Sequence, residues 1–161
     1  MNLDSFLALG ETITLGSHTF QPDEIKEFAR KYDPQLFHID EDAAKRSVFG
    51  GLCASGWHTA AMWMRYNLKK REDMDQRKWD GPGPRPEFGP SPGFANLKWL
   101  KPVYAGDTVT FTRTALRHRA MNSRPGWRIL TIHCGAHNQD DAPVLSFESS
   151  VLLNAPGAAT S

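Results

Sequence analysis

The sequence predicts an α+β domain in which a curved antiparallel sheet wraps around a central helix. Three observations predict this class. One run of strand character stands near the start of the chain, at residues 12–20. The middle of the chain is helical and contains one long helix that begins at Gly56. The last third contains four further runs of strand character, separated by turn signals.

Length and composition exclude several classes of protein. The 161 residues fit a single domain with one core. With 19 basic and 18 acidic residues the net charge is +1, so no strong field favours nucleic acid or a membrane surface. Cys53 and Cys134 lie far apart, as is typical of thiols in a reducing compartment. Without a signal-peptide pattern or a long apolar run, we expect a cytoplasmic protein.

The first strand, TITLGSHTF, is short and rich in β-forming residues. A helix follows in QPDEIKEFARKY, where Pro22 suits the first helical position. Its apolar residues recur at i, i+3 and i+4 and form one stripe: Ile25, Phe28 and Ala29. Pro34 ends this helix because the residue before a proline is disfavoured in α geometry. Asp33 therefore lies at a helix exit.

A short second helix is predicted in DEDAAKR, with Asp40 as its N-cap. The long helix then runs from Gly56 to about Lys70, and its basic end complements the helix dipole. Residues 72–93 are dense in Pro and Gly and predict a long loop. Two interpretations of this loop stay open, a functional lid or wall and a tolerated surface insertion.

The last third of the chain predicts four antiparallel strands. Their sequences are FANLKWLKPV, DTVTFTRTALRHRA, GWRILTIHCGAHN and VLSFESSVLLN. Turn signals separate the strands at residues 104–107, 123–126 and 138–143. A sheet built from these strands is long enough to curve around the central helix.

The first candidate for chemistry is YDPQLFHID, in which Asp33 and His38 stand five residues apart among apolar neighbours. One interpretation is structural: Asp33 caps the turn, and His38 packs as a hydrogen-bonded histidine. The other is an acid/base pair, because imidazole titrates near neutrality and can accept or donate a proton. The residues alone leave both interpretations open.

The second candidate is the start of the long helix, at Ser55 and Gly56. Free backbone N–H groups at a helix N-terminus stabilise negative charge, and a glycine lets a ligand approach the backbone. The Gly56 N–H is therefore a candidate oxyanion donor. The alternative is an ordinary N-cap at Ser55 followed by an entry turn.

Other chemistry is less well supported by the sequence. Ser55 does not lie in a GxSxG pattern, because Cys53 and Trp57 occupy the glycine positions. His38, Asp40 and His58 lack the spacing of a metal site, so no metal is predicted.

Three segments together resemble the MaoC-like dehydratases and (R)-specific enoyl-CoA hydratases of the hotdog fold. They are YDPQLFHID, FGGLCASGWHTA and SPGFANLKWLKPVYAGDTV, and the resemblance extends from about Gly10 to Leu153. The family motif has an Asp, a His five residues later, and a glycine that opens the helix. Asp33, His38 and Gly56 stand at these positions.

The resemblance implies a single hotdog domain over residues 1–161, with a disordered tail at about 155–161. It implies that Asp33 and His38 hold the water that adds to the double bond of an enoyl-CoA. The Gly56 N–H would hold the thioester oxygen. It also implies an acyl-CoA substrate of fatty acid metabolism, a homodimer or an assembly of dimers, and no cofactor, nucleic acid or membrane partner.

The chain departs from the family pattern near the histidine. The family commonly has Asn-Pro-Leu there, and this chain has Gln35, Leu36 and Phe37. We predict that the residues around the acid/base pair and the helix start contact the substrate: Gln35, Phe37, Ser55 and Trp57. Trp57, Trp63, Phe94 and the 72–93 loop are expected to shape an acyl pocket. Two alternative functions remain, a hotdog acyl-CoA thioesterase and a non-catalytic acyl-CoA binding protein.

Overall fold

The structure is a computed structural model that describes residues 1–158, with the backbone alone at positions 74 and 75. The chain forms four α-helices, one 3-10 turn and six strands within these residues. In chain order these are α1 (Leu3–Leu7), β1 (Thr12–Thr19), α2 (Pro22–Tyr32), the 3-10 turn (Leu36–His38), α3 (Glu41–Lys45), α4 (Gly56–Asp75), β2 (Glu87–Phe88), β3 (Gly93–Trp99), β4 (Thr108–Ala120), β5 (Trp127–His137) and β6 (Pro143–Asn154).

The strands form one antiparallel sheet that curls around α4. Its order is β1-β4-β5-β6, and β6 also pairs with the short β2 and with β3. The inner face of β4 alternates into the core, where Val109 and Phe111 are fully buried. Trp63 of α4 lies against this face and donates its indole N–H to the Thr112 carbonyl at 2.9 Å. The predicted α+β fold is confirmed.

Two short elements were not predicted from the sequence. In α1 the Asn2 side chain accepts the Ser5 N–H at 2.8 Å, and Phe6 is fully buried. A five-residue helix is too short to show a helical period, so the sequence gives no signal for it. The two-residue strand β2 is set by its pairing with β6. Of the helices in the described part of the chain, none has the length and apolar character needed to cross a membrane.

The predicted boundaries of the loop and the tail change in the structure. Helix α4 continues to Asp75, helped by an ion pair of 2.9 Å between Lys70 and Asp73, so the loop begins later than residue 72. In the segment predicted as a disordered tail, Ala155 is buried and donates its N–H to the Gly126 carbonyl at 2.8 Å. The rest of that segment, residues 159–161, lies outside the described residues.

His58 is a buried histidine in the first turn of α4, on the side that faces α2. Its ring stacks on Phe28 with ring centres 4.5 Å apart and meets the Phe20 ring edge at 5.0 Å. Within the described residues its Nδ1 has no hydrogen-bond partner. Burial lowers the pKa of His58 to about 4, an effect that Glu24 opposes and His18 reinforces.

Acid should destabilise the fold through His58. Its pKa is lower in the folded than in the unfolded chain, so the unfolded chain binds the proton more readily. The contribution of neutral His58 to the free energy of unfolding is therefore fully present above the ordinary pKa of 6.5, and it is lost as the pH falls toward 4. The loss amounts to about 3 kcal/mol. We expect His58→Phe to remove this part of the pH dependence in urea unfolding curves recorded from pH 7.5 to pH 4.5.

The matched control is the half-exposed His137 on β5, and His137→Phe should keep the wild-type pH dependence. If His58→Phe and the wild type lose stability equally over this pH range, the assignment to His58 is wrong.

Candidate active site

Asp33 and His38 are brought together by the end of α2 and the 3-10 turn that follows. Pro34 stops the helix, and the Asp33 N–H still donates to the Ala29 carbonyl at 2.8 Å. The Gln35 carbonyl accepts the His38 N–H at 2.9 Å and so begins the 3-10 turn. Both side chains therefore project from one tight bend.

The two side chains approach each other directly. His38 Nε2 lies 3.3 Å from Asp33 Oδ2, and His38 is buried. The other ring nitrogen, Nδ1, lies 2.6 Å from the Cys53 carbonyl oxygen. A carbonyl can only accept, so Nδ1 carries a proton and donates it to Cys53. This bond fixes the ring orientation and leaves Nε2 facing Asp33.

Two further donors hold the Asp33 carboxylate. Gln35 Nε2 donates to Oδ1 at 2.7 Å, and Ser55 Oγ donates to Oδ2 at 2.7 Å. Burial by itself raises the pKa of Asp33, but the hydrogen bonds from Gln35 and Ser55 and the attraction of His38 in its protonated form outweigh it. The net pKa lies below the ordinary value, so Asp33 is a carboxylate at neutral pH.

An extended segment before α4 places the helix start beside this pair. The Ala54 N–H donates to the Val103 carbonyl at 2.8 Å, and the Cys53 N–H donates to the Phe37 carbonyl at 3.3 Å. The Ser55 carbonyl accepts the N–H groups of residues 58 and 59, which sets the first turn of the helix. The N–H groups of Gly56 and Trp57 belong to the donors that a helix leaves without an intrahelical partner.

The indole of Trp99, at the end of β3, packs on Gly56. A Cβ atom at position 56 would overlap the Trp99 ring atoms, so a glycine is required for this approach. Trp57 meets the same indole almost at right angles, with ring centres 5.0 Å apart and an interplanar angle of 81°. The helix start therefore lies close to the Asp33 and His38 side chains and to two tryptophans.

One cavity of about 390 Å³ contains these groups. Most of the predicted site residues line it: Asp33, Gln35, Phe37, His38, Gly56 and Trp57. Ser55 was predicted to contact the substrate, but it is fully buried and its hydroxyl is bound to Asp33. The structure therefore gives Ser55 a contact with the carboxylate in place of the contact that was predicted.

The expected acyl pocket differs from the observed cavity. Trp57, Trp63 and Phe94 together line a separate apolar groove, and of these three residues Trp57 alone also lines the cavity. No described residue of the 72–93 loop lines the cavity. Trp99 and Lys101 are among the lining residues that were not predicted. Both stand in the strand run FANLKWLKPV, where nothing local indicates contact with a helix that begins 43 positions before Trp99.

The comparisons with known proteins agree with this fold. The family model described as a MaoC like domain matches residues 7–82, which include Asp33, His38 and Gly56. The crystal structure of the MaoC-like dehydratase from Rhodospirillum rubrum is 32% identical, covers 96% of this chain and 97% of its own, and superposes with a TM-score of 0.77. The chain belongs to the MaoC-like dehydratase family. The family resemblance found in the sequence is confirmed.

Two other relatives of this MaoC-like dehydratase are more distant. The Bacillus subtilis protein YdeM is 28% identical over 153 residues, which are 95% of this chain and 99% of that protein. The (R)-hydratase from A. caviae involved in PHA biosynthesis is 20% identical, with a TM-score of 0.64 over 89% of this chain and 94% of that one. At that identity the (R)-hydratase supports the hotdog fold alone.

Proposed function

We propose that this MaoC-like dehydratase is an (R)-specific enoyl-CoA hydratase, which in reverse is a 3-hydroxyacyl-CoA dehydratase. The proposal rests on one arrangement: Asp33 and His38, 3.3 Å apart, share a cavity with the open helix start at Gly56. Membership of the dehydratase family supports the reaction type.

In the proposed reaction a water molecule binds to Asp33 and His38. When His38 is neutral with its proton on Nδ1, its Nε2 is an acceptor like Asp33 Oδ2, so one water can donate one hydrogen to each and turn its lone pair to C3 of the enoyl group. As the oxygen–carbon bond forms, the pair removes one proton from the water. The pair then returns one proton to C2, so water is added with no net change in the protein's protons.

The second part of the proposed mechanism is the helix start. Addition at C3 moves electrons through C2 to the thioester oxygen, which gains negative charge. The Gly56 N–H donates a hydrogen bond to this oxygen, and the positive end of the α4 dipole stabilises the charge. The tryptophans beside Gly56 keep bulk water from the oxygen and strengthen this interaction.

The deciding experiment follows the enoyl absorbance of crotonyl-CoA mixed with purified protein, with free thiol measured in parallel. A hydratase lowers the absorbance and releases no thiol. Thiol release with a constant enoyl signal would instead identify a thioesterase. Thermal stabilisation by CoA esters with neither reaction would identify a binding protein.

Removing the Gln35 amide should shift the pH dependence of hydration. Its bond to Asp33 stabilises the ionised carboxylate, so Gln35→Met raises the pKa of Asp33. The base is then protonated at a higher pH, and the acid limb of the kcat/KM profile moves up in pH. Gln139→Met removes a similar amide bond, to Asp107, and should leave the profile unchanged. A Gln35→Met profile identical to that of the wild type would contradict this role.

We also propose that two copies of the chain pair through β3 to form a homodimer. In the described part of the chain β3 hydrogen-bonds to β6 on one side, and no strand pairs with its other edge. Beside this edge lie three exposed apolar side chains, Phe94, Trp57 and Met64.

The thiols of Cys53 and Cys134 are buried and unpaired with each other, which supports the cytoplasm as the proposed location.

A charge on the free edge should separate the copies. Phe94 is 60% exposed in the single chain, so Phe94→Asp leaves the fold intact but places a charge in the proposed interface. We expect the wild type to sediment as a dimer or larger assembly and the variant to shift toward the monomer. The control is Leu116→Asp, since Leu116 is exposed on β4 away from β3. A monomeric wild type would overturn the dimer proposal.

A further inference from the structure

We propose that Trp99 determines acyl specificity, admitting acyl thioesters that are unbranched at C2 and rejecting those that carry a C2 substituent. This inference rests on the proposed function, since it takes the thioester carbonyl to bind at Gly56. Trp99 was not among the residues that the sequence indicated. Its role follows from where the indole lies.

The indole covers the open face of the helix start. Gly56 has no side chain, and the Trp99 ring occupies the space that a Cβ atom would need. The backbone that carries the indole is held in place, because the Leu100 N–H donates to the Val144 carbonyl at 2.9 Å and Trp99 pairs with Leu145 on β6. A group bound at the Gly56 N–H must therefore lie beside the face or the edge of this ring.

Trp57 limits the space beside the ring. The two indoles stand almost perpendicular, with centres 5.0 Å apart, and each is about half exposed, Trp57 at 51% and Trp99 at 45%. Together they form a corner at the cavity. A rigid aromatic corner loses little conformational entropy when a ligand binds, so it discriminates by shape.

The shape of the substrate decides what fits in this corner. A conjugated enoyl thioester is flat from the carbonyl oxygen to C3, and its C2 is the atom next to the carbonyl held at Gly56. A flat group can lie along an indole. A methyl group on C2 widens the acyl group at the point where Trp99 lies against the helix start. Overlap of one methyl group with a fixed wall reduces binding by about tenfold or more.

The test compares pairs of thioesters that differ by branching at C2. Dissociation constants for butyryl-CoA and isobutyryl-CoA are measured by calorimetry, and kcat/KM is measured for crotonyl-CoA and 2-methylcrotonyl-CoA. We expect the wild type to favour the unbranched member of each pair by about tenfold or more. Trp99→Ala should narrow each preference to about threefold or less, mainly because the branched thioester binds more tightly and reacts with a higher kcat/KM.

Two further variants test whether a change in preference comes from a general loss of structure. Trp99→Phe keeps an aromatic ring of smaller size and should give an intermediate preference with a melting temperature close to that of the wild type. Trp79→Phe makes the same change at a tryptophan that packs on Phe6, away from the cavity, and should keep the full preference.

The outcomes separate the role of Trp99 from the reaction itself. An equal preference in Trp99→Ala and the wild type overturns the assignment, as does a wild type that binds both members of a pair equally or binds neither. If crotonyl-CoA is not hydrated but the calorimetric preference narrows in Trp99→Ala, the proposed reaction is wrong and the role of Trp99 in selecting the acyl group stands.

Discussion

Asp33→Asn should reduce kcat/KM for the hydration of crotonyl-CoA by about 10²- to 10⁴-fold. The asparagine keeps the shape of the side chain and can still accept the Ser55 hydroxyl, but it cannot take a proton from water. His38→Ala should cause a loss of similar size, because it removes the second group that holds the water. The double variant should lose little more than either single one, since the two groups act on one water.

The measurement is the initial rate of enoyl loss at substrate concentrations below KM, with melting temperature as the check on folding. Asp23→Asn supplies the matched control, because Asp23 lies exposed in the first turn of the same helix α2. Near-normal rates for Asp33→Asn or His38→Ala would show that the pair does not carry the chemistry.

Gly56→Ala is the second change with a large expected effect. Alanine is a better helix former than glycine, so α4 itself should not suffer. The new methyl group would overlap the Trp99 indole, however, so the ring or the helix start must move. If the helix start moves, the Gly56 N–H, the proposed donor to the thioester oxygen, moves with it. Loss of one such donor costs about 10²- to 10³-fold in kcat, and we expect a loss of this size.

Gly51→Ala is the control for this second experiment. A Cβ at position 51 would lie 3.6 Å from the Tyr104 ring, which is an ordinary contact, so activity should stay near the wild-type value. In the double variant Gly56→Ala/Trp99→Ala the overlap is removed, and part of the lost rate should return. Full activity in Gly56→Ala would mean that neither the indole nor the helix start has to keep its position.

Local patterns were sufficient to predict the elements that carry the site. Helix α2 was predicted with its observed limits because Pro22 and Pro34 mark its start and its end. The N-cap at Asp40 was also correct, since its side chain accepts the Ala43 N–H at 2.7 Å. Asp33 and His38 were found together because one short bend contains both of them.

Contacts between distant segments could not be predicted in the same way. Ser55 donates to Asp33 across 22 positions of the chain, and Trp99 packs on Gly56 across 43. Such contacts depend on how the strands align with α4, which a single sequence does not specify. Cys53 was not among the predicted site residues for a different reason. It contributes a backbone carbonyl to His38, and any residue type has that group.

That carbonyl has a consequence for how the site tolerates mutation and oxidants. Because the main chain of Cys53 orients His38, the side chain at this position can vary in type, within the available volume, without disturbing the histidine tautomer. Burial and the nearby Asp33 charge raise the pKa of the Cys53 thiol to about 11, so the sulfur stays protonated at neutral pH. Thiolates, not thiols, react with peroxides and alkylating agents. A cysteine beside the acid/base pair therefore does not make the site sensitive to redox conditions.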